Sequence, residues 1–305
     1  ARKAVEAEWA FQYVHATFDG KRYVSSLDRN SVELWEIGDD ESQHVMTATG
    51  HDNNWVRAAF APPGTLLACA DEKGKLNVWD VHSQELRCTF AHPLIDEHQI
   101  WTLEFSPDGK LLLSEADIWP SARLWDVEQS KAIEAFPGDD MDSKGGFSPC
   151  GRYLVGSRRS GGEFMVWNIN HREILAQIPF LLADNFEYSP SGQYVACGGE
   201  VGEAAVLLWN LEHRETHRRL PLPDESDWIH ALAFSHCGKY LAGGGGWNRE
   251  TKQVPLLLWE IATGKNLATF YGHTTDIQGL AFSPGSALLA SASFDGTILL
   301  WDINL

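Results

Sequence analysis

Seven tryptophans recur in one local frame, each preceded by an apolar residue and followed by Asp, Asn or Glu: Trp35, Trp79, Trp125, Trp167, Trp209, Trp259 and Trp301. Their spacings are 44, 46, 42, 42, 50 and 42 residues. Each interval also carries an aromatic residue leading into a glycine-containing turn. These are Phe18-Asp-Gly, Phe60-Ala-Pro-Pro-Gly, Phe105-Ser-Pro-Asp-Gly, Phe147-Ser-Pro-Cys-Gly, Tyr188-Ser-Pro-Ser-Gly, Phe234-Ser-His-Cys-Gly and Phe282-Ser-Pro-Gly. Two registered signals repeated seven times predict seven copies of one unit, and a period of roughly 40–45 residues is that of four short strands. The stretches between landmarks, such as Leu-Asn-Val-Trp ending at Trp79, are short and strand-like, with no sustained 3.6-residue period. One such unit cannot bury both faces of its sheet alone, so the units must stack.

The clearest copy runs from Gly272 to Asp302: a Gly-His, a strand into Phe282-Ser-Pro-Gly, a strand ending Ser-Ala-Ser, a Phe-Asp-Gly turn, then Leu300-Trp301-Asp302. This resembles the WD repeat (WD40) β-propeller family. The resemblance implies an all-β, seven-bladed β-propeller of four-stranded antiparallel blades, a single domain over 1–305. The blades are expected near 11–49, 55–90, 100–136, 144–179, 185–220, 229–271, and 277–305 joined by 2–8. It also implies a buried hydrogen-bonded tetrad in the last blade, formed by His273, Ser291 or Ser293, Asp295 and Trp301. A buried imidazole, hydroxyl, carboxylate and indole N–H each need a partner, and this set can satisfy itself. The other units depart from the pattern. The second keeps His51 but has Lys73 at the turn-aspartate position, and the third has Ala91-His92 with an extended turn. The fourth and fifth lack the histidine, and in the sixth Gly243 to Gly246 lead into a long insertion.

The sequence ends just after the third strand of the last unit. Aligning Phe18 with Phe282 places Trp9 on His273, so Arg2 to Glu8 take the place of that unit's outer strand. The N-terminal strand is therefore expected to complete the last blade and remove two open sheet edges. On this reading the chain brackets one whole domain, while the opening Ala-Arg-Lys fits a domain excised from a longer protein.

With 24 basic against 42 acidic residues, the net charge of −18 argues against nucleic acid as a partner. Cys69, Cys88, Cys150, Cys197 and Cys237 are odd in number and form no CxxC, which reads as free thiols in a reducing, cytoplasmic setting. No apolar run reaches the ~18 residues of a membrane span. No cofactor motif, phosphate loop or GxSxG is present. The twelve histidines show no HxH or HExxH, and Asp139-Asp140-Met141-Asp142 lacks the spacing of a calcium loop, so no metal is expected. The glycines at 243–246 read as backbone crowding at a strand end rather than a phosphate cradle.

In the WD-repeat family, two sets of loops share one rim of the propeller, and here those loops are the elaborated ones. They are Gly50–Asn54, His92–Gln99, Pro137–Ser143 and Leu220–Asp227, with the turns Glu115–Ala122, Ser157–Glu163 and Trp247–Pro255. Long loops on one side of a rigid scaffold are where binding concentrates. They carry acids, including Asp52, Asp71, Asp117, Asp140, Asp142 and Asp227, and the aromatics Trp55, Trp119, Trp228 and Trp247. Carboxylates around aromatic surface suit a Lys- or Arg-bearing peptide. Equally, acids on loops of so acidic a chain are commonly just solvated, and Trp55 aligns with inner-strand Ile100, Ile229 and Ile277 as a core residue.

Three functions follow. The first is a non-catalytic scaffold or sensor binding a partner protein or peptide on the rim, as a monomeric domain. The second is a hydrolase or lyase using carboxylates such as Asp142 and Asp227. The third is a small-ligand site lined by Trp55, Trp119 or Trp228.

Overall fold

The computed structural model describes residues 15–16, 22–25, 31–37, 42–50, 55–62, 64–93, 100–116, 122–133, 141–158, 163–179, 185–198, 206–222, 229–245 and 254–303. Within them every regular element is a strand. The chain divides into two compact units. One comprises Ala1–Phe147, Gly151–Gly156 and Ile169–Glu173; the other comprises Ser148–Cys150, Ser157–Asn168 and Ile174–Leu305.

The first unit holds three four-stranded antiparallel meanders. They are β1 (His15–Ala16), β2 (Arg22–Ser25), β3 (Val32–Ile37) and β4 (Ser42–Ala48); β5 (Trp55–Phe60), β6 (Leu66–Asp71), β7 (Lys75–Asp80) and β8 (Leu86–Ala91); and β9 (Ile100–Phe105), β10 (Leu111–Ala116), β11 (Ala122–Asp126) and β12 (Lys131–Ile133). The division runs through a fourth sheet of β13 (Met141–Phe147), β14 (Tyr153–Arg158), β15 (Glu163–Asn168) and β16 (Glu173–Pro179). The second unit adds β17 (Asn185–Tyr188), β18 (Tyr194–Gly198), β19 (Val206–Asn210) and β20 (Glu215–Leu220), then β21 (Ile229–Phe234), β22 (Tyr240–Gly245), β23 (Pro255–Glu260) and β24 (Asn266–Tyr271). It ends with β25 (Ile277–Phe282), β26 (Leu288–Ser293) and β27 (Ile298–Asp302), three strands among the described residues. Residues 2–8, expected to pair beside β27, lie outside the described residues.

Middle strands such as β6, β10, β22 and β23 are buried on both faces, and the polar-apolar alternation of a half-exposed strand is lost in them. Pro-Leu-Leu-Leu-Trp over β23 is buried at every position, as is β6 throughout. The core consequently lies between sheets. In the first unit, Val32, Leu34 and Met46 of one sheet pack on Leu67 and Cys69 of the next. Leu76 and Phe90 in turn meet Ile100, Phe105 and Trp125. In the second unit, Leu256 and Leu258 of β23 pack on Ile277 and Leu289. The repeated tryptophans join these layers. Phe90 stacks on Trp125 at 5.0 Å and Phe270 lies 5.2 Å from Trp301, each aromatic coming from the outer strand of the preceding sheet.

The turns joining third and fourth strands contain a repeated feature that residue types conceal. Five residues after Trp79, Trp125, Trp167, Trp209 and Trp259, the residues Gln84, Ser130, Arg172, Arg214 and Gly264 all adopt left-handed φ, from 53° to 71°. The backbone geometry recurs although only one of the five is glycine. A second glycine position is set by packing. A Cβ on Gly243 of β22 would stand 2.7 Å from Cζ3 of Trp259. Backbone crowding against that ring accounts for the start of the glycine run.

Two opposite substitutions follow. Replacing Arg214 by glycine relieves about 1–2 kcal/mol of left-handed strain against about 0.5–1 kcal/mol of added chain entropy. Urea unfolding should therefore show a gain of about 0.5–1 kcal/mol. Gly243→Ala forces a methyl into a filled layer and should lose about 1–3 kcal/mol in the same assay.

Candidate functional site

With the sheets numbered in chain order, so that β9–β12 form sheet 3 and β25–β27 sheet 7, sheet 7 carries the expected polar network at the ends of β26 and β27. The Trp301 indole N–H donates to Ser291 Oγ at 2.8 Å, and Ser291 Oγ lies 2.7 Å from His273 Nε2. His273 Nδ1 lies 2.9 Å from Asp295 Oδ2. Ser291 accepts the indole proton, so its own proton is directed to His273 Nε2, and the imidazole N–H on Nδ1 donates to the carboxylate. Asp295 also accepts from the Thr274 N–H at 3.0 Å, the Thr297 N–H at 2.9 Å and the Thr297 hydroxyl at 2.6 Å. The Thr297 hydroxyl first, then the Thr274 N–H, hold its carboxyl well below the usual range. Of the two serines in the motif, Ser291 is the network member. Ser293 Oγ instead donates to Thr275 O at 2.9 Å and accepts from the Asp295 N–H at 3.1 Å.

Sheet 3 contains a related arrangement built from His92, where the sequence shows Ala-His rather than Gly-His. Trp125 Nε1 donates to Ser114 Oγ at 2.8 Å, and Ser114 Oγ lies 2.9 Å from His92 Nδ1. The His92 ring is 2% exposed. Burial, followed by the charge of Arg123, pushes its pKa down to about 4. The next residue, Glu115, is a carboxylate buried at the strand end. Both its oxygens accept from the Gly145 N–H, at 2.7 and 2.9 Å, and burial raises its pKa.

Strand register shows what occupies the serine position elsewhere. Ser291 pairs with Leu299; the equivalent pairs are Cys69 with Asn77, Ser114 with Arg123, Cys197 with Leu207 and Gly243 with Leu257. Burial pushes the Cys69 thiol up to about 12 and raises Cys197 as well, so neither is a ready nucleophile. With Gly243 in place of serine, the Trp259 indole donates to Pro221 O at 3.3 Å. Cys150 and Cys237 are exposed and stand where Asp108 caps its turn by accepting from Ser106 Oγ at 2.6 Å.

The structure shortens several predicted loops. Glu115 belongs to β10, Met141 to Ser143 open β13, Leu220 ends β20, and Pro255 begins β23. Ser157 and Arg158 end β14, while Glu163 begins β15. Ladder hydrogen bonds extend these strands past where polar and turn-forming residues mark their ends. Asp71 is not a free rim acid. It is 1% exposed, and its Oδ1 accepts the N–H groups of Lys73 and Lys75, both at 2.9 Å.

Asp52, Trp119, Asp140, Asp227, Trp228 and Trp247 lie outside the described residues. Trp55 begins β5 and Asp142 lies in β13, but their side chains are also outside the description. Among the described residues, no His, Cys, Asp and Glu side chains cluster as metal ligands, and no helix is long and apolar enough to cross a membrane.

The model of the WD domain, G-beta repeat, matches residues 42–80 and 264–302. Each match starts at or just before the fourth strand of one sheet and ends at the third strand of the next, at Asp80 and Asp302. The Cps50 (Swd1) β-propeller domain of Myceliophteria thermophila superposes with a TM-score of 0.64. It is 16% identical, with 95% of this chain and 96% of that one covered. The chain carries WD repeats over those two stretches. Its β-propeller fold is that of the Cps50 domain. Among curated relatives, the WD-repeat chain is 26% identical over 289 residues to the transcriptional corepressor LEUNIG_HOMOLOG of Arabidopsis thaliana. That match covers 93% of this chain but 34% of the corepressor. It is 24% identical to guanine nucleotide-binding protein subunit beta-5b of Danio rerio, covering 93% of this chain and 71% of that subunit.

The network makes a graded prediction. Ser291→Ala strands a buried indole N–H and imidazole and should lose about 1–3 kcal/mol in chemical unfolding, more than Ser293→Ala. The depressed Asp295 pKa adds a pH signature. The unfolded chain takes up this proton first, so the contribution is present above about pH 4 and is lost as pH falls through the lower folded value. Stability below pH 4 should therefore fall less steeply in Asp295→Asn than in the native protein.

Proposed function

We propose that the chain is a non-catalytic interaction scaffold or sensor, a single seven-bladed propeller over 1–305 whose rim loops bind a partner protein or peptide. The observation that carries this reading is the internal use of the carboxylates and the sheet 7 network described above. His273, Ser291 and Asp295 satisfy one another, Asp71 caps its own turn, and Glu115 bonds to Gly145. Recognition is then left to the loops that join the strands. The relatives, a transcriptional corepressor and a guanine nucleotide-binding protein subunit, fit a role within assemblies.

The candidate binding residues are Asp52, Trp55, Trp119, Asp140 and Asp142 in the first unit, with Asp227, Trp228 and Trp247 in the second. Their carboxylates and indoles suit a peptide bearing Lys or Arg. The interaction is placed in the cytoplasm, with the domain itself monomeric. Affinity capture from source lysate should compare the native chain with Trp55→Ala/Asp140→Lys and, separately, with Asp227→Lys. A protein retained by native chain and lost from one folded variant assigns the binding loops to that unit. Capture of the same proteins by all three removes the rim reading.

The same proposal includes closure by residues 2–8 along β27. Supporting it, the last sheet has three described strands where the others have four, and Ile298 and Leu300 on its edge strand are 72% and 68% exposed. An open apolar edge is a liability that pairing removes. Deleting residues 1–9 should lower the unfolding midpoint and promote association; unchanged stability of the shortened chain would count against closure.

A further inference from the structure

A cleft of about 240 Å³ opens between sheets 2 and 3, at the end of β10 opposite Glu115. Two of its lining residues, Leu66 and Val127, are buried apolar side chains. The rest of the lining is largely charged. Sheet 2 contributes Asp80 and Arg87, and sheet 3 contributes Asp108, Lys110 and Glu128. The two aspartates are held by their own turns. Asp80 Oδ1 accepts the N–H groups of His82 and Ser83 at 3.0 and 2.9 Å. Asp108 Oδ1 accepts from Ser106 Oγ at 2.6 Å and from the Lys110 N–H at 3.1 Å.

Three carboxylates and two cations therefore share one small space. Among the described residues, no ion pair joins Arg87 or Lys110 to Asp80, Asp108 or Glu128. What enters such a cleft is selected by repulsion as much as by attraction. A plain anion drawn to Arg87 and Lys110 meets the three carboxylates, and a plain cation drawn to the carboxylates meets the two cations. A molecule carrying both signs finds a partner for each, through charge-assisted hydrogen bonds. The volume sets its size. The cleft falls below the roughly 300–1,000 Å³ of sites for drug-sized ligands, and so suits a molecule of few heavy atoms.

We propose that this cleft is a binding site for a small zwitterion of the amino-acid type. Arg87 and Lys110 hold its carboxylate, and Asp80, Asp108 and Glu128 hold its ammonium. Leu66 and Val127 offer apolar surface to its carbon chain. The turns already position both aspartates, so less ordering is left to the binding event. Arg87 and Glu128 hold no turn among the described residues, so they set affinity without securing the fold. The site is independent of whether the rim loops bind a protein.

The test uses glycine and γ-aminobutyrate as probes, because they space their two charges differently. Sodium acetate and methylammonium chloride at matched ionic strength are the single-charge controls. Binding to the whole chain is followed by NMR at the backbone amides of Gly109 and Lys110, which line the cleft. At least one zwitterion should give a saturable shift that neither control reproduces. Arg87→Gln and Glu128→Gln should each weaken that binding by about tenfold, with the rest of the spectrum unchanged. No saturable shift from either zwitterion overturns the proposal. Saturation by acetate or methylammonium as tight as by a zwitterion overturns it too, since the cleft then reads a single charge. Undiminished binding in both variants does the same, because the zwitterion then sits elsewhere.

Discussion

Covering both faces of a sheet is the constraint on which this structure depends. A strand such as β23 has a neighbouring layer on either side, so nearly every side chain it offers must be apolar. A polar side chain that enters this environment must bring its own partner or displace something else. The tryptophan at the end of each third strand illustrates the rule. Its ring fills the space between layers, and in three sheets its N–H finds an acceptor. Ser291 and Ser114 answer it in two sheets, and a backbone carbonyl, Pro221 O, answers it for Trp259.

Once the serine is present, the rest of the network follows from proton bookkeeping. The hydroxyl has accepted one hydrogen and must place its own, a histidine from the preceding loop takes it, and the histidine's other nitrogen needs an acceptor. In sheet 7 that acceptor is Asp295, which also holds the turn through Thr274 and Thr297. The network thus joins a sheet end, the incoming loop and the hairpin turn. It ties together parts of the chain that side-chain packing alone would leave separate.

The substitutions at the serine position show how the same frame tolerates loss of the network. Cysteine at 69 and 197 keeps the volume and stays protonated under burial. Glycine at 243 yields its space to the Trp259 ring. Packing between layers therefore holds the sheets whether or not the polar relay is complete, which is why units with weak motifs still form regular meanders.

Much of this was legible in the residues themselves. The tryptophan period and the turn signals set seven units, because sheet packing demands an aromatic and a turn at the same place in each. The His273, Asp295 and Trp301 set could be read from spacing, because each member is a residue type that burial penalises unless it is paired. Spacing left the choice between Ser291 and Ser293 open. They lie on the same side of β26, and only the approach of the His273 ring selects Ser291. His92 could be read as the histidine of its repeat although the glycine before it is missing, but its bond to Ser114 and through it to Trp125 forms only when β10 and β11 align. Glu115 and Asp71 look like solvated loop acids in sequence; neighbouring backbone N–H groups turn them into buried structural ones. The sequence determined the repeat and the residue types every layer needs, because those obey a local period. Tertiary structure alone decided which polar groups are satisfied and which, like His92 Nε2 and Arg123 Nε, are left facing an unmet donor requirement, because partners across strands and loops are set by register and approach.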